Sequence, residues 1–363
     1  MIVPARPFPS LAALAFRGGE VPLEALGGRF FHQGREALLY GLKRFGLRPG
    51  DALVLPAYYC ESALAPLRHY GLRPVFVDVD CDLQVPLEAV YKVLDSSRAG
   101  VVVLVDFFGF PTKCDRDFVA RCHELGAKVV IDRCHAALSC PGASCGADGV
   151  FSSFRKTLAV PDGGYWCSAE ESYMLRPRAT GRELVYLTER FAEMGAVRLG
   201  WPNPYGGLAK RLRSSPRKVM VRGLEQALPV PPSFGLAQYL GNASFLKRIS
   251  GKRVENYRRL SAALEGLGVR CLFPQLPAGV VPQVLTVVEG SGGITGFLRE
   301  RGIGAFHWPG GELPEEVASR PDLYPHANEV NRTVTCLPVH QDITDCHIIY
   351  MVKTVAAWKK EAA

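Results

Sequence analysis

The sequence predicts an α/β protein with a large part built on a mostly parallel sheet sandwiched by helices, followed by a smaller C-terminal α+β part. Three observations lead there. Between about residues 35 and 170, short β-branched runs alternate with amphipathic helical stretches, the pattern of strands joined by helical crossovers. Beyond residue 234 the order changes to a long helical stretch, then short strands, then a closing helix. The chain has 363 residues, 48% of them hydrophobic, enough to bury more than one core. The expected division is a large domain over 1–233 and a small one over 234–363.

The elements follow in order. REALLYGLKRFGL has helical periodicity and stops near Pro49-Gly50, where a Pro-Gly pair ends it; ALVLPA follows as a strand. Next come a helix in ESALAPLRHYG, the strand RPVFVDVD, a helix around PLEAVYKVLDSS and the strand GVVVLVDFFG. A helix in DRDFVARCHELG and the strand AKVVIDRC complete the alternation, and GVFSSF is strand-like. RPRATGRELVYLTERF reads as helix. The rest of 175–232 is rich in Pro, Gly and Arg, as in an irregular connection. SFGLAQYLGNASFLKRISGKRVENYRRLSAALEGLG reads as one long helical stretch, QVLTVVE and TVTCLPV as strands, and DCHIIYMVKTVAAWKK as the closing helix.

Composition excludes several classes. The net charge of +8 comes from basic residues spread along the chain, so no concentrated patch for nucleic acid is expected, whereas small anions fit as well. The cysteines number eleven and sit in apolar runs without regular spacing, which reads as reduced thiols in a cytoplasmic protein. No export signal is evident at the N-terminus, and the longest apolar run, AGVVVLVDFFGF, is broken by Asp106 and too short to span a bilayer.

In open α/β sheets, ligands bind beyond the carboxyl ends of the strands. Asp132 closes the strand KVVI, with His135 three positions later; a carboxylate there suits a protonated ring nitrogen, and equally the capping of the next turn. Lys156 follows GVFSSF and precedes a Gly-Gly turn; a lone lysine is ordinarily solvated, but a buried one must be paired, neutralised or used covalently. Gly34 opens a helix with bare backbone amides, which bind phosphate or simply form an N-cap. In sequence order there is a helix start for an anion, Tyr58-Tyr59 at a strand end, a carboxylate, then a lysine. That set matches what pyridoxal 5'-phosphate requires: an anion cup, an apolar or aromatic face, an acid for the pyridine nitrogen and an amine for a Schiff base.

The chain resembles the DegT/DnrJ/EryC1/StrS sugar aminotransferases, a branch of the fold-type I enzymes that use pyridoxal phosphate. QGREALLYGLKRFGLRPGDALVLPAYYC, PVFVDVD, VLVDFFGFP, VVIDRCHA and FSSFRKTLAVPDGG carry the resemblance in that order, with NRTVTCLPVHQDIT near the C-terminus. The resemblance implies that Lys156 forms the Schiff base and shuttles protons, that Asp132 pairs with the pyridine nitrogen, and that His135 lies near the ring hydroxyl. It places Gly34 and Arg35 in the phosphate cup and Ser153 as a hydroxyl contact, with Ser152 the alternative. The ring-stacking position falls on Tyr58, Tyr59 or Cys60. VPPSFGLAQYL stands where relatives reach a neighbouring subunit's phosphate, leaving Ser233 or nothing for that task.

The function implied is transfer of an amino group, with glutamate as the expected donor, to a keto sugar, nucleotide-linked, in polysaccharide or glycoconjugate biosynthesis, by a homodimer. The alternatives are a sugar dehydratase of the same fold, against which Lys156 argues because related dehydratases often lack it, and a non-catalytic scaffold. Cys134, His135, Cys140 and Cys145 lack a Cys-x-x-Cys pair and do not suggest zinc. The basic run KRLRSSPRKVMVR is a solvated loop or a contact for a nucleotide diphosphate. His307 and Trp308 either approach the active site or pack in the core. Cys60 is a nucleophile only if a base lies beside it. Residues 176–232 are the expected source of substrate contacts.

Overall fold

A computed structural model describes residues 1–14, 27–139, 146–169, 177–200, 227–290, 293–310 and 313–362. Its centre is a seven-stranded sheet: β1 (Arg29–Phe31), β2 (Ala52–Pro56), β3 (Arg73–Val77), β4 (Val101–Val105), β5 (Lys128–Arg133), β6 (Gly149–Ser153) and β7 (Gly164–Cys167), in the spatial order β1-β7-β6-β5-β4-β2-β3. The five strands from β3 to β6 in that order run parallel. β2 and β4 are buried along their whole length, which is why they read as unbroken apolar runs rather than as alternating ones. β7 pairs antiparallel with β6, and β1 antiparallel with β7. The periodicity of the sequence did not reveal this antiparallel edge, because both strands are short and β1 has only three residues.

Helices α1 (Gly34–Arg44), α2 (Glu61–Tyr70), α3 (Leu87–Ser97) and α4 (Arg116–Glu124) form the crossovers. α1 lies closest to the sheet, and two glycines make that possible. A Cβ on Gly41 would sit 2.2 Å from the Trp166 ring in β7, and one on Gly34 would sit 2.7 Å from Cys134 Sγ and 3.2 Å from the Ser152 carbonyl oxygen. The first turn of α1 therefore rests directly on the carboxyl ends of β5 and β6.

The helix expected over 176–191 is α5 (Gly181–Arg198), begun by Thr180, whose hydroxyl accepts from Glu183 N. The single helical stretch expected after 233 is two helices, α6 (Phe234–Leu240) and α7 (Ala243–Glu265). Asn242 starts the second by accepting from Phe245 N at 2.8 Å, so the Gly241-Asn242 pair acts as stop and restart. A second, antiparallel sheet joins β8 (Arg270–Cys271), β9 (Val284–Val288) and β10 (Val334–Pro338) in the order β10-β9-β8. α8 (Ile294–Glu300), α9 (Pro325–Thr333) and the closing α10 (Asp345–Ala362) complete this part. The first residues of the chain lie against it: Val3 bridges Ile303, and Phe8 N donates to Asp342 at 2.7 Å.

None of the nine cysteines among the described residues is in a disulfide. Among the described residues no helix is long and apolar enough to cross a membrane, and no group of His, Cys, Asp and Glu side chains is arranged to hold a metal. Cys140, Cys145 and the basic run of 210–222 lie outside the described residues, as do 176 and 201–226 of the stretch 176–232.

Candidate active site

Parallel strands bring their carboxyl ends to one rim, and Tyr58, Tyr59, Asp132, His135, Ser153 and Lys156 all lie at or just beyond strand ends there. In register, Val105 of β4 stands beside Asp132 of β5, and Asp132 beside Phe151 of β6. Asp132 is 6% exposed. Its Oδ1 accepts from Cys134 N at 2.8 Å and its Oδ2 from the Tyr59 hydroxyl at 3.0 Å. Both donors are neutral, and among the described residues no cation lies in contact with this carboxylate. A buried carboxylate left in that state is suited to a cationic ring nitrogen.

His135 lies parallel to the ring of Phe108, with centroids 5.4 Å apart, while the Trp308 ring stands edgewise at 4.8 Å. Its Nδ1 faces Phe108 N at 3.3 Å and must accept there, so Nε2 carries the hydrogen. Burial, with the nearby Lys156 charge adding to it, holds the imidazole well below its usual range, so the ring is a neutral donor. Phe108 adopts φ 57°, a left-handed conformation uncommon for a side chain of this size; it aims both the amide and the ring at His135.

Lys156 ends a short 3-10 turn, Phe154–Lys156, directly after β6. The turn is fixed on two sides. Phe154 N donates to Gly163 O at 2.9 Å, and the Thr157 carbonyl accepts from Arg253 Nη2 at 2.8 Å. Lys156 itself is half-buried, and among the described residues its ammonium has no hydrogen-bond or ion-pair partner. Its charge acts on Cys134 and on His135, so Lys156 lies within electrostatic reach of the Asp132–His135 shelf.

The helix start expected to meet an anion is that of α1. Its cap residue, Gln33, gives no side-chain bond, and among the described residues the amides of Gly34 and Arg35 meet no acceptor. Two open amides at a helix N-terminus suit a phosphate dianion. The Arg35 guanidinium turns toward the Ser62 carbonyl at 3.3 Å, and its buried Nε has no partner. Ser152 and Ser153 are distinguishable here. The Ser152 hydroxyl donates to the Arg133 carbonyl at 3.1 Å, whereas Ser153 lies beside Gly34, its Cβ 3.3 Å from where a Gly34 side chain would begin.

The three alternatives for the ring face separate as well. Tyr58 donates to the Trp308 carbonyl and packs against the rings of Phe107 and Trp308, so it belongs to an aromatic cluster. Tyr59 reaches Asp132, while Cys60 lies 3.0 Å from the Ser62 hydroxyl, and among the described residues no base bonds to it. Cys134 stays a thiol, because burial and then Asp132 push it well above its usual range. Trp308 comes to the site and is not simply core packing; His307 turns away, its Nδ1 2.9 Å from the Val334 carbonyl. Ser233, the candidate for a neighbouring subunit's phosphate, is buried, and its hydroxyl donates to Asp162 at 2.7 Å.

Residues 31–179 match the DegT/DnrJ/EryC1/StrS aminotransferase family. Over 342 residues the chain is 25% identical to a dTDP-4-dehydro-2,3,6-trideoxy-D-glucose 4-aminotransferase from Saccharopolyspora spinosa, covering 90% of this chain and 82% of that protein. A shorter match, 30% over 142 residues and 34% of the relative, is to a GDP-4-keto-6-deoxy-D-mannose 3-dehydratase from Escherichia coli. Among solved structures, NtdA of Bacillus subtilis with bound pyridoxamine phosphate has the same fold, with a TM-score of 0.63 at 15% identity over 90% of this chain and 72% of that one. The stretch of the chain that is similar to the DegT/DnrJ/EryC1/StrS aminotransferase family, residues 31–179, is the one that carries Gly34, Asp132, His135 and Lys156.

Proposed function

We propose that this chain is a pyridoxal phosphate-dependent aminotransferase that moves an amino group onto a keto sugar carried by a nucleotide. The observation that carries the reading is the convergence of Lys156, Asp132 and His135 at the carboxyl ends of β5 and β6, beside the open amides of α1. The relative from Saccharopolyspora spinosa, a 4-aminotransferase of a dTDP-linked keto sugar matched over 82% of its length, supports the substrate class. Glutamate as donor, action in the cytoplasm and a role in polysaccharide or glycoconjugate assembly are part of the same proposal. So is a homodimer, which the exposed Leu184 and Val185 of α5, with Leu199 just past its end, support.

Pyridoxal phosphate, when bound, supplies an aldehyde that condenses with amines and a ring that withdraws electrons from the adjoining carbon. The chain does the rest. The amides of Gly34 and Arg35, with Ser153 beside them, would hold the phosphate. Asp132 would meet the ring nitrogen, and the neutral His135 would offer its Nε2 hydrogen to the ring. Tyr58 and Trp308 exclude water above His135. Lys156 Nζ takes the proton from the α-carbon of the amino donor and delivers one at the sugar's ketone carbon in the second half-reaction.

The partial match to a dehydratase favours a second reading within the same site. Lys156 supports transfer over dehydration. The test is direct: purified protein supplied with the cofactor should absorb as a lysine Schiff base, lose that band on borohydride treatment, and lack it in Lys156→Ala. Amino-group transfer from glutamate to a keto-sugar nucleotide should follow; deoxygenation of that sugar with no amine incorporated would overturn the reading.

A further inference from the structure

Tyr59 is more than a filler of the rim. β4 lies between β2 and β5, so Tyr59 must reach from the end of β2 across one whole strand to touch Asp132. Neighbouring strands are about 4.8 Å apart, so the gap is about 10 Å, and only a long side chain with a polar tip crosses it. The local backbone launches it. Ala57 N donates to Val77 O at 2.7 Å and Tyr59 N to Ala57 O at 2.9 Å, a tight turn that folds the chain back over the strand ends. The ring is 1% exposed, so its hydroxyl, if not given to Asp132, would have no solvent to turn to.

We propose that Tyr59 is a positioning residue that decides where the proton between Asp132 and the cofactor's ring nitrogen lies, keeping it on the nitrogen. The inference rests on the cofactor reading above and deepens it. Two bases face each other once the ring is in place, the carboxylate and the pyridine nitrogen, and they share one proton. Hydrogen bonds donated to a carboxylate favour its charged form and so push the proton toward the nitrogen. Among the described residues Asp132 accepts from Cys134 N and from the Tyr59 hydroxyl, with the weak Cys134 thiol donor also turned to it, and the phenol is the strong side-chain donor of the set.

The surrounding groups leave Tyr59 as the adjustable one. His135 and the Cys134 thiol are neutral through burial. Asp106, on the neighbouring strand, is already paired with Arg133. Arg155 and Lys156 also act on this shelf, and Lys156 is the amine proposed for the aldehyde. A ring nitrogen that keeps its proton is the stronger electron sink, so this one phenol adjusts the chemistry without touching the reacting carbon.

The experiment loads the apo-protein with pyridoxal phosphate labelled with 15N in the ring and records the ring-nitrogen chemical shift. The wild type should show the protonated-pyridine shift. In Tyr59→Phe, which preserves shape, the ratio of protonated to unprotonated nitrogen should fall about tenfold while the cofactor remains bound, the size expected for one hydrogen bond to a charged group. Asp132→Asn should shift it further. A fluorotyrosine at position 59, a stronger donor of the same outline, should move the signal the opposite way, and it decides the matter if the phenylalanine variant does not fold. A folded Tyr59→Phe protein with the wild-type shift overturns the role of Tyr59 and leaves the cofactor site standing. A wild type that fails to take up the cofactor overturns both.

Discussion

Two carboxylates stand side by side at the ends of adjacent strands, equally buried and differently finished. Asp106, one residue beyond β4, is 1% exposed, and Asp132, in β5, is 6% exposed; Asp106 N donates to the Asp132 carbonyl at 2.9 Å. Asp106 is closed on all sides, with Oδ1 accepting from Thr112 N at 2.8 Å and Oδ2 from Arg133 Nε at 3.1 Å. Asp132 meets only neutral donors. The same residue type on the same rim is thus a finished structural pair in one case and an open half-pair in the other. Since leaving a buried charge uncompensated costs several kcal/mol, a protein that tolerates one has a partner in view for it.

Activity is where the comparison can be broken most visibly. Lys156→Ala should lower the rate of amino transfer at least a thousandfold, with the unfolding midpoint unchanged, because among the described residues no contact of the ammonium is lost. Asp132→Asn should lower it about a hundredfold or more. Asp106→Asn should cost less than about tenfold, since that carboxylate touches Arg133 and Thr112 rather than the ring site. Equal losses in the two Asp→Asn variants, measured as kcat on one donor and acceptor pair, would erase the distinction between closed and open pair.

A third buried ion sharpens it. Arg253 in α7 is 1% exposed and bonded only to neutral oxygens: Nε to Gln341 Oε1, Nη1 to the carbonyls of Pro282 and Gln283, and Nη2 to that of Thr157. Burial lowers it to about 10 with only Asp342 opposing, so the charge persists at neutral pH. The guanidinium fork is what ties the lysine turn to the segment before β9, and a lysine cannot reproduce its geometry. Arg253→Met strands three carbonyls and should lower unfolding free energy by about 3–4 kcal/mol in denaturant titration. Arg253→Lys should recover less than half.

How far the sequence foretold these features depends on the distance over which each is specified. Asp132, His135 and Lys156 were legible because each follows a strand whose apolar run announces itself, and their order along the chain names a chemistry. The open helix start at Gly34 was legible for the same reason. Tyr59 was not separable from Tyr58 and Cys60, since the strand pattern ends at Pro56 and the turn beyond it, closed by Val77 O and Ala57 O, sets which side chain crosses the rim. Arg253 reads as one more surface arginine on an amphipathic helix; its burial is imposed by carbonyls some 30 and nearly 100 residues away in sequence. Trp308 approaches His135 from a segment more than 170 residues later, and Phe108 aims its amide through a backbone conformation that no periodicity encodes. What local pattern specifies was readable; what long-range packing specifies was not.

The smallest effect is carried by Asp106 alone and concerns stability rather than rate. Burial, outweighing Thr112 N and Arg133, raises its carboxyl from 3.8 to about 6. Between pH 4 and 6 the unfolded chain has released this proton while the folded chain still holds it, so the folded state binds more protons. Unfolding free energy must then fall as pH rises through that window, by about 2–3 kcal/mol, and level off above it. Other groups titrate in the same range, so the quantity to follow is the difference between wild type and Asp106→Asn in urea titrations at pH 4, 5, 6 and 7. That difference should change by about 2–3 kcal/mol between pH 4 and 6 and then stay constant. A difference that does not vary with pH would mean that Arg133 compensates Asp106 fully, and that the closed pair costs the fold nothing.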